Sequence, residues 1–149
     1  YTFCVGDVSQ DVRDLLEVTK ASLYLGIGQA VEGKRIGDIG YAVQSYCESK
    51  GYSVVREMVG HGIGKKMHEA PEVPNYGRRG CGMMLRTGMV ICIEPMINQG
   101  KKGLVFERDG WTTRTVDGKC SAHFEHAVAI RKGKADILSD FSIIEENLK

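Results

Sequence analysis

The sequence has no apolar run approaching the roughly 18 residues that a membrane-spanning helix needs, so no such helix and no membrane partner is expected. Nothing in it has the charged-then-apolar order of a secretion signal. Its five cysteines (Cys4, Cys47, Cys81, Cys92 and Cys120) are odd in number, widely spaced and never arranged C-x-x-C. That pattern signals neither a disulfide framework nor a thiolate zinc site, and a reducing cytoplasm is the simplest home. Net charge is nearly absent at +1, and the basic residues fall in scattered pairs (Lys65-Lys66, Arg78-Arg79, Lys101-Lys102). Nucleic acid, which demands a concentrated basic footprint, is therefore not an expected partner. There is no internal repeat, no low-complexity segment and no linker. An initiator methionine is missing too: Tyr1 to Gly6 reads at once as a β-branched and aromatic strand, as if the chain started inside a domain.

What is present is globular. A chain of 149 residues, 42% hydrophobic and 26% charged, fits one domain over 1–149. At this size roughly 70% of the unfolded chain's surface can be buried. Ser9 offers a side-chain oxygen to cap a helix, Asp11 and Asp14 suit its positive first turn, and Val8 is placed to staple to Val12. Apolar residues recur at Val12, Leu15, Leu16, Leu23 and Ile27 with helical spacing, and Gly33 reads as the stop. Ile36, Ile39, Val43 and Cys47 mark a second helix that Gly51 closes. From Tyr52 the pattern changes to short β-branched stretches at Ser53 to Arg56, Met89 to Ile93, Trp111 to Thr115 and Phe124 to Ile130. Turn-forming residues fill the gaps, among them Gly60 to Gly64, Pro71 to Gly77 and Asn98 to Gly103. The economical architecture is α+β, an antiparallel sheet backed by helices.

Glu94 ends the apolar strand Met89 to Ile93 and precedes Pro95. An ionised carboxylate at that depth needs a cation, a metal or a proton, and the competing reading is a buried ion pair with an arginine. Glu125 repeats the problem. Alternation puts Phe124, His126, Val128 and Ile130 on one face, leaving Glu125 and His123 beside the small Ala127 and Ala129. Two glutamates on neighbouring central strands would repel unless a divalent cation lay between them. His61, framed by Gly60 and Gly62, is placed by the main chain, since glycine permits unusual backbone angles and close approach. His68, in the loop that follows, suits a hydrogen-bonding or acid-base group better than a metal ligand.

Together these stretches resemble the type I methionine aminopeptidases. The matching residues are Gly60-His61-Gly62-Ile63-Gly64, His68-Glu69-Ala70-Pro71, Ile93-Glu94-Pro95-Met96-Ile97-Asn98, Asp109-Gly110-Trp111-Thr112 and Ser121-Ala122-His123-Phe124-Glu125-His126. The resemblance implies a pita-bread fold of two pseudosymmetric halves around a dinuclear site of divalent ions (Mn, Fe, Co or Zn). It implies that His61 and Glu94 bind one metal and Glu125 bridges both, with Glu94 shuttling a proton and His68 steadying the tetrahedral intermediate or the scissile amide. Met67 and Trp111 match positions lining the family's methionine pocket, where thioether and indole both favour a substrate sulfur; plain core is the other reading of Trp111. The activity implied is removal of the N-terminal methionine from peptides and nascent proteins, by water activated on the metals, in an enzyme that is monomeric when complete.

The sequence departs from the family at its front. Members carry two aspartate ligands on a hairpin just before the strand expected at Tyr1, and a further histidine for the scissile bond. Asp7, Asp11 and Asp14 do not replace the aspartates, because they fall in a turn and the first helix. The expectation is a catalytic domain truncated on its N-terminal side, holding fewer metals or none, nearly inactive alone and prone to associate through exposed apolar surface. His123, where relatives commonly have glutamine, is assigned no catalytic role. Two alternatives stand beside this reading. One is an Xaa-Pro aminopeptidase or prolidase, in which glycine rather than Met96 generally follows the Glu-Pro pair. The other is a non-catalytic pita-bread binding module, which would be expected to lose the ligands retained here.

Overall fold

Ser9 opens the first helix, though not through the bond its side chain suggests. In the computed structural model, which describes residues 1–147, α1 spans Gln10–Ile27 with Ser9 in extended conformation at its N-cap. The Ser9 hydroxyl donates to the carboxylate of Asp11 instead of accepting from the backbone. The first turn is held by Arg13 N–H on the Ser9 carbonyl at 3.1 Å. The helix also ends before Gly33: the N–H groups of Gln29 and Ala30 bond back to Gly26 and Ile27, so the chain turns as soon as Ala30 is in the core.

Helix α2 (Ile36–Ser49) buries Ile36, Ile39, Gly40, Val43 and Cys47, the stripe expected from spacing. Its end is a Schellman motif, with Tyr52 N–H on the Cys47 carbonyl, Gly51 N–H on that of Glu48, and Gly51 at φ +84°. Against it α1 presents Leu15, Leu23 and Gly26. A Cβ at Gly26 would stand 3.0 Å from a Val43 methyl, so the glycine permits the close helix crossing. The buried hydroxyls of Thr19 and Ser22 bond to carbonyls of α1 itself, which removes the cost of burying them.

The strands are β1 (Ser53–Val54), β2 (Gly60–Gly62), β3 (Glu69–Val73), β4 (Val90–Ile93), β5 (Met96–Asn98), β6 (Leu104–Phe106), β7 (Thr113–Thr115), β8 (Ser121–His123), β9 (His126–Ala129) and β10 (Asp136–Ile137). A short helix α3 (Ser142–Asn147) follows, tied to α1 by the Lys20–Glu145 ion pair. Sheet order is β10-β9-β4-β2-β3, then β1-β5-β8, and the separate hairpin β6-β7, with antiparallel pairing throughout. Leu23, Ile27, Ile39, Ile91, Ile93, Phe124, Val128 and Ile130 form the main core between helices and sheet.

Three further sequence expectations change. Tyr1 to Gly6 is not a strand. Instead of a ladder, that segment is held by Tyr1 packing edge-on against Phe124 and Phe141, and by the Thr2 hydroxyl, which donates to the His123 carbonyl at 2.5 Å. The glycine-rich stretch at His61 is a strand, not a gap. The single strand expected over Phe124 to Ile130 covers only His126–Ala129, with β8 ahead of it in another sheet.

Candidate metal centre

That break is what builds the site. Strands β4 and β9 pair with Ile93 opposite His126, and β5 and β8 resume with Met96 opposite His123. The offset is the same on both sides, so Glu94 falls opposite Glu125 and Pro95 opposite Phe124. Proline has no N–H to give a ladder. Across the gap the Phe124 N–H reaches the Pro95 carbonyl at 3.4 Å. The buried Asn75 amide donates to the Glu94 carbonyl at 3.0 Å, fixing the chain where it leaves β4. Two carboxylates held face to face on adjoining strands are a repulsive pair unless a positive charge joins them.

His61 comes to the same place from β2. Gly60, Gly62 and Gly64 have no positive φ, so close approach rather than unusual backbone angle is what the glycines supply. A Cβ at Gly60 would land on the Cys92 carbonyl, and one at Gly62 on the Ala70 carbonyl. The His61 Nδ1 lies 2.9 Å from the Gly62 carbonyl oxygen. A carbonyl only accepts, so Nδ1 carries the hydrogen and Nε2 is left free to bind. Nε2 is 3.4 Å from Glu94 Oε1, with the two side chains 15% and 13% exposed. A lone pair facing a carboxylate oxygen at that separation calls for a proton or a cation between them.

Two side chains join that the sequence reading did not assign. His123 Nε2 is 3.3 Å from Glu94 Oε2, and Glu94, His123 and Glu125 offer ligand atoms all within 4.8 Å of one another. Cys92, buried on β4, forms a second such group with His61 and Glu125. Burial, a hydrogen bond to Glu125 and the charges of Glu125 and Glu94 push the Cys92 thiol up to about 12. Both were signalled by strand alternation, since Cys92 shares a face with Glu94 and His123 with Glu125. Among the described residues no arginine or lysine pairs with either glutamate, so the arginine alternative falls away. Hard oxygens with imidazole suit divalent first-row ions, and the donor set fits a metal.

The other residues are more peripheral. His68 is exposed, its ring edge-on to that of His61 with centroids 4.4 Å apart. Met67 is 70% exposed and Trp111 90%, so Trp111 is not core; it sits on the β6–β7 turn, where Asp109 accepts from the N–H groups of Trp111 and Thr112. His126 is fully buried on the core face, its Nε2 3.3 Å from the Tyr24 hydroxyl and its Nδ1 3.2 Å from that of Ser139; burial holds it below the usual histidine range. A cleft of about 560 Å³ lies between α1 and α2 with Tyr41, Tyr46 and Arg79 on its walls, and none of the ligand groups lines it.

The chain belongs to metallopeptidase family M24, whose family model matches residues 1–132, and imidazole and carboxylate donors on adjoining antiparallel strands suit such a protein. Its fold is the pita-bread α+β arrangement, and the family implies use of a divalent metal. More particularly, the chain is 51% identical over 138 residues to methionine aminopeptidase B of Synechocystis, covering 93% of this chain and 50% of that protein. The solved structure of methionine aminopeptidase from Rickettsia prowazekii superposes with a TM-score of 0.87 at 44% identity, over 89% of this chain and 54% of that one. An X-Pro aminopeptidase from Thermotoga maritima, 19% identical over 91% of this chain and 33% of its own with a TM-score of 0.68, shares the fold alone. The chain spans about half the length of the curated relatives it matches. None of the described helices is long and apolar enough to cross a membrane.

Proposed function

We propose that the protein to which these residues belong removes the N-terminal methionine from peptides and nascent polypeptides. The observation that carries the reading is the register-matched pair Glu94 and Glu125 with His61 beside both, in a chain about half identical to methionine aminopeptidases. His61 Nε2 and Glu94 would hold one divalent ion, and Glu125 would be shared with a second. When bound, such ions supply Lewis acidity that makes water a competent nucleophile near neutral pH. The chain's own residues do the rest. Glu94, whose carboxylate already faces two imidazoles, accepts a proton from the attacking water and returns it to the leaving amine. His68, exposed beside His61, donates a hydrogen bond to the scissile amide. Met67 and Trp111, both exposed and matching the family's methionine-pocket positions, would contact the methionine side chain. Asn75 positions Glu94 through its carbonyl.

We further infer that the ions are drawn from manganese, iron, cobalt and zinc, that the cytoplasm is the compartment, and that the complete enzyme is a monomer. The donors of this 149-residue chain hold metal more weakly than a full set, so the chain alone is nearly inactive. Release of methionine from a Met-Ala-Ser peptide with manganese or cobalt tests the reading on a full-length relative carrying these residues and on this chain. Turnover by the first and little by the second is expected. Preference for an Ala-Pro peptide would favour a prolidase, and metal binding by neither would favour a binding module.

A further inference from the structure

We propose that the cleft between α1 and α2 binds a mononucleotide, with Arg79 and Lys34 taking its phosphates and the Tyr46 ring its base. None of the metal-ligand groups lines this cleft, so the inference stands apart from the metal centre.

The cationic end of the cleft is held firmly. The loop carrying Arg79 is seated on the start of α2, where the Gly37 N–H donates to the Cys81 carbonyl at 3.0 Å and a Cβ at Gly37 would strike the Arg78 carbonyl. Asp38 adds the Gly80 N–H at 2.8 Å, and its other carboxylate oxygen takes the Arg35 N–H, so main-chain donors occupy both oxygens. Thus anchored, Arg79 lays its guanidinium 4.5 Å from the Tyr41 ring centroid, which fixes its plane and leaves its N–H edge for a ligand. Lys34 lines the same cleft. Among the described residues neither cation enters an ion pair. A planar fork beside a point charge suits a phosphate, whereas a single carboxylate would leave one cation unmatched.

Further along α2 the lining changes from charged to flat. Tyr46 lies about 7.5 Å beyond Tyr41 along the helix axis, and the small Ala42 and Ser45 between them leave the floor open. A tyrosine ring stacks on any nucleobase, because every base has a π-face. Cations at one end, a ring at the other and about 560 Å³ of space fit a ligand of nucleotide size. The scattered basic pairs supply no extended track for a longer strand.

Calorimetric titration of the 149-residue chain with ADP in EDTA tests this, since no metal is then available to bind phosphate. One-site binding with a Kd of about 10–100 µM is expected, with adenosine and inorganic phosphate each at least about tenfold weaker. Arg79→Ser and Tyr46→Leu are each expected to weaken ADP about tenfold, while Tyr46→Phe, which keeps the ring, stays within about twofold. Arg79 is exposed, so Arg79→Ser reads binding rather than folding. No binding at millimolar ADP, adenosine or inorganic phosphate binding as tightly as ADP, or full affinity in Arg79→Ser or Tyr46→Leu would overturn the site. A single-stranded oligonucleotide binding more tightly than ADP would overturn the mononucleotide in favour of a nucleic-acid surface.

Discussion

Glu94 and Glu125 oppose each other because one register runs unbroken across two sheets, and this gives their substitution a signature no ordinary core change shares. Without metal, Glu125→Gln relieves a like-charge pair worth up to about 1 kcal/mol, so the variant should melt no lower than the parent. With manganese present the order should reverse, and affinity measured by calorimetry should drop by about 100-fold or more. A variant that melts lower without metal and binds manganese normally would mean that Glu125 is structural. These acids were legible because a carboxylate in an apolar strand needs a partner. His61 was legible from its glycines. Cys92 and His123 carried the same alternation signal, but isolated cysteines and histidines are common enough that only their convergence on Glu125 and Glu94 makes them informative. The outward place of Trp111 was not legible, since it depends on a turn closed by Asp109.

Strand β2 shows how an element serves the site. Its glycines let β3 and β4 come close on either side, and a methyl at Gly62 would strike the Ala70 carbonyl. Gly62→Ala is expected to cost about 1–3 kcal/mol and weaken manganese binding with it, as thermal melting with and without metal would show. At the start of α2, Asp38 accepts from the N–H groups of Arg35 and Gly80, both at 2.8 Å. Burial raises its carboxyl, but these bonds with the nearby Lys34 and Arg35 charges outweigh it and hold the group below the usual range. Its stabilisation is therefore present above the unfolded value of about 3.9 and is lost as pH falls through the lower folded value. Asp38→Asn should cost about 1 kcal/mol at neutral pH and flatten the acid side of the melting profile. An unchanged profile would show that the carboxylate contributes nothing. Helices α1 and α2 were legible because burial at 3.6-residue spacing marks them, though α1 stops at Ile27 rather than Gly33 and the short α3 carries no such stripe. Of the strands, β1, β4, β7 and β9 lie within stretches that the sequence marks, and the rest do not. β2, β3, β5 and β8 are three to five residues long, too short to alternate visibly, and the first and last adjoin or contain the residues that break the pattern.

Across the molecule the helices and β4–β9 make a sound core, while large apolar side chains stand free elsewhere: Phe3, Val5, Met67, Phe106 and Trp111 are each more than half exposed. Such surface drives association. The average mass of the 149-residue chain in sedimentation should rise with concentration, and a monomer throughout the micromolar range would contradict this. The same chain brings His61, Glu94 and Glu125 from β2 and from the two strand breaks into one place, and the whole reading depends on a divalent ion being what they share. Anomalous diffraction from crystals grown with manganese tests that most directly. A peak ligated by His61 Nε2, Glu94 and Glu125 is the result expected; a peak elsewhere, or those two carboxylates paired with lysine or arginine instead, would contradict it.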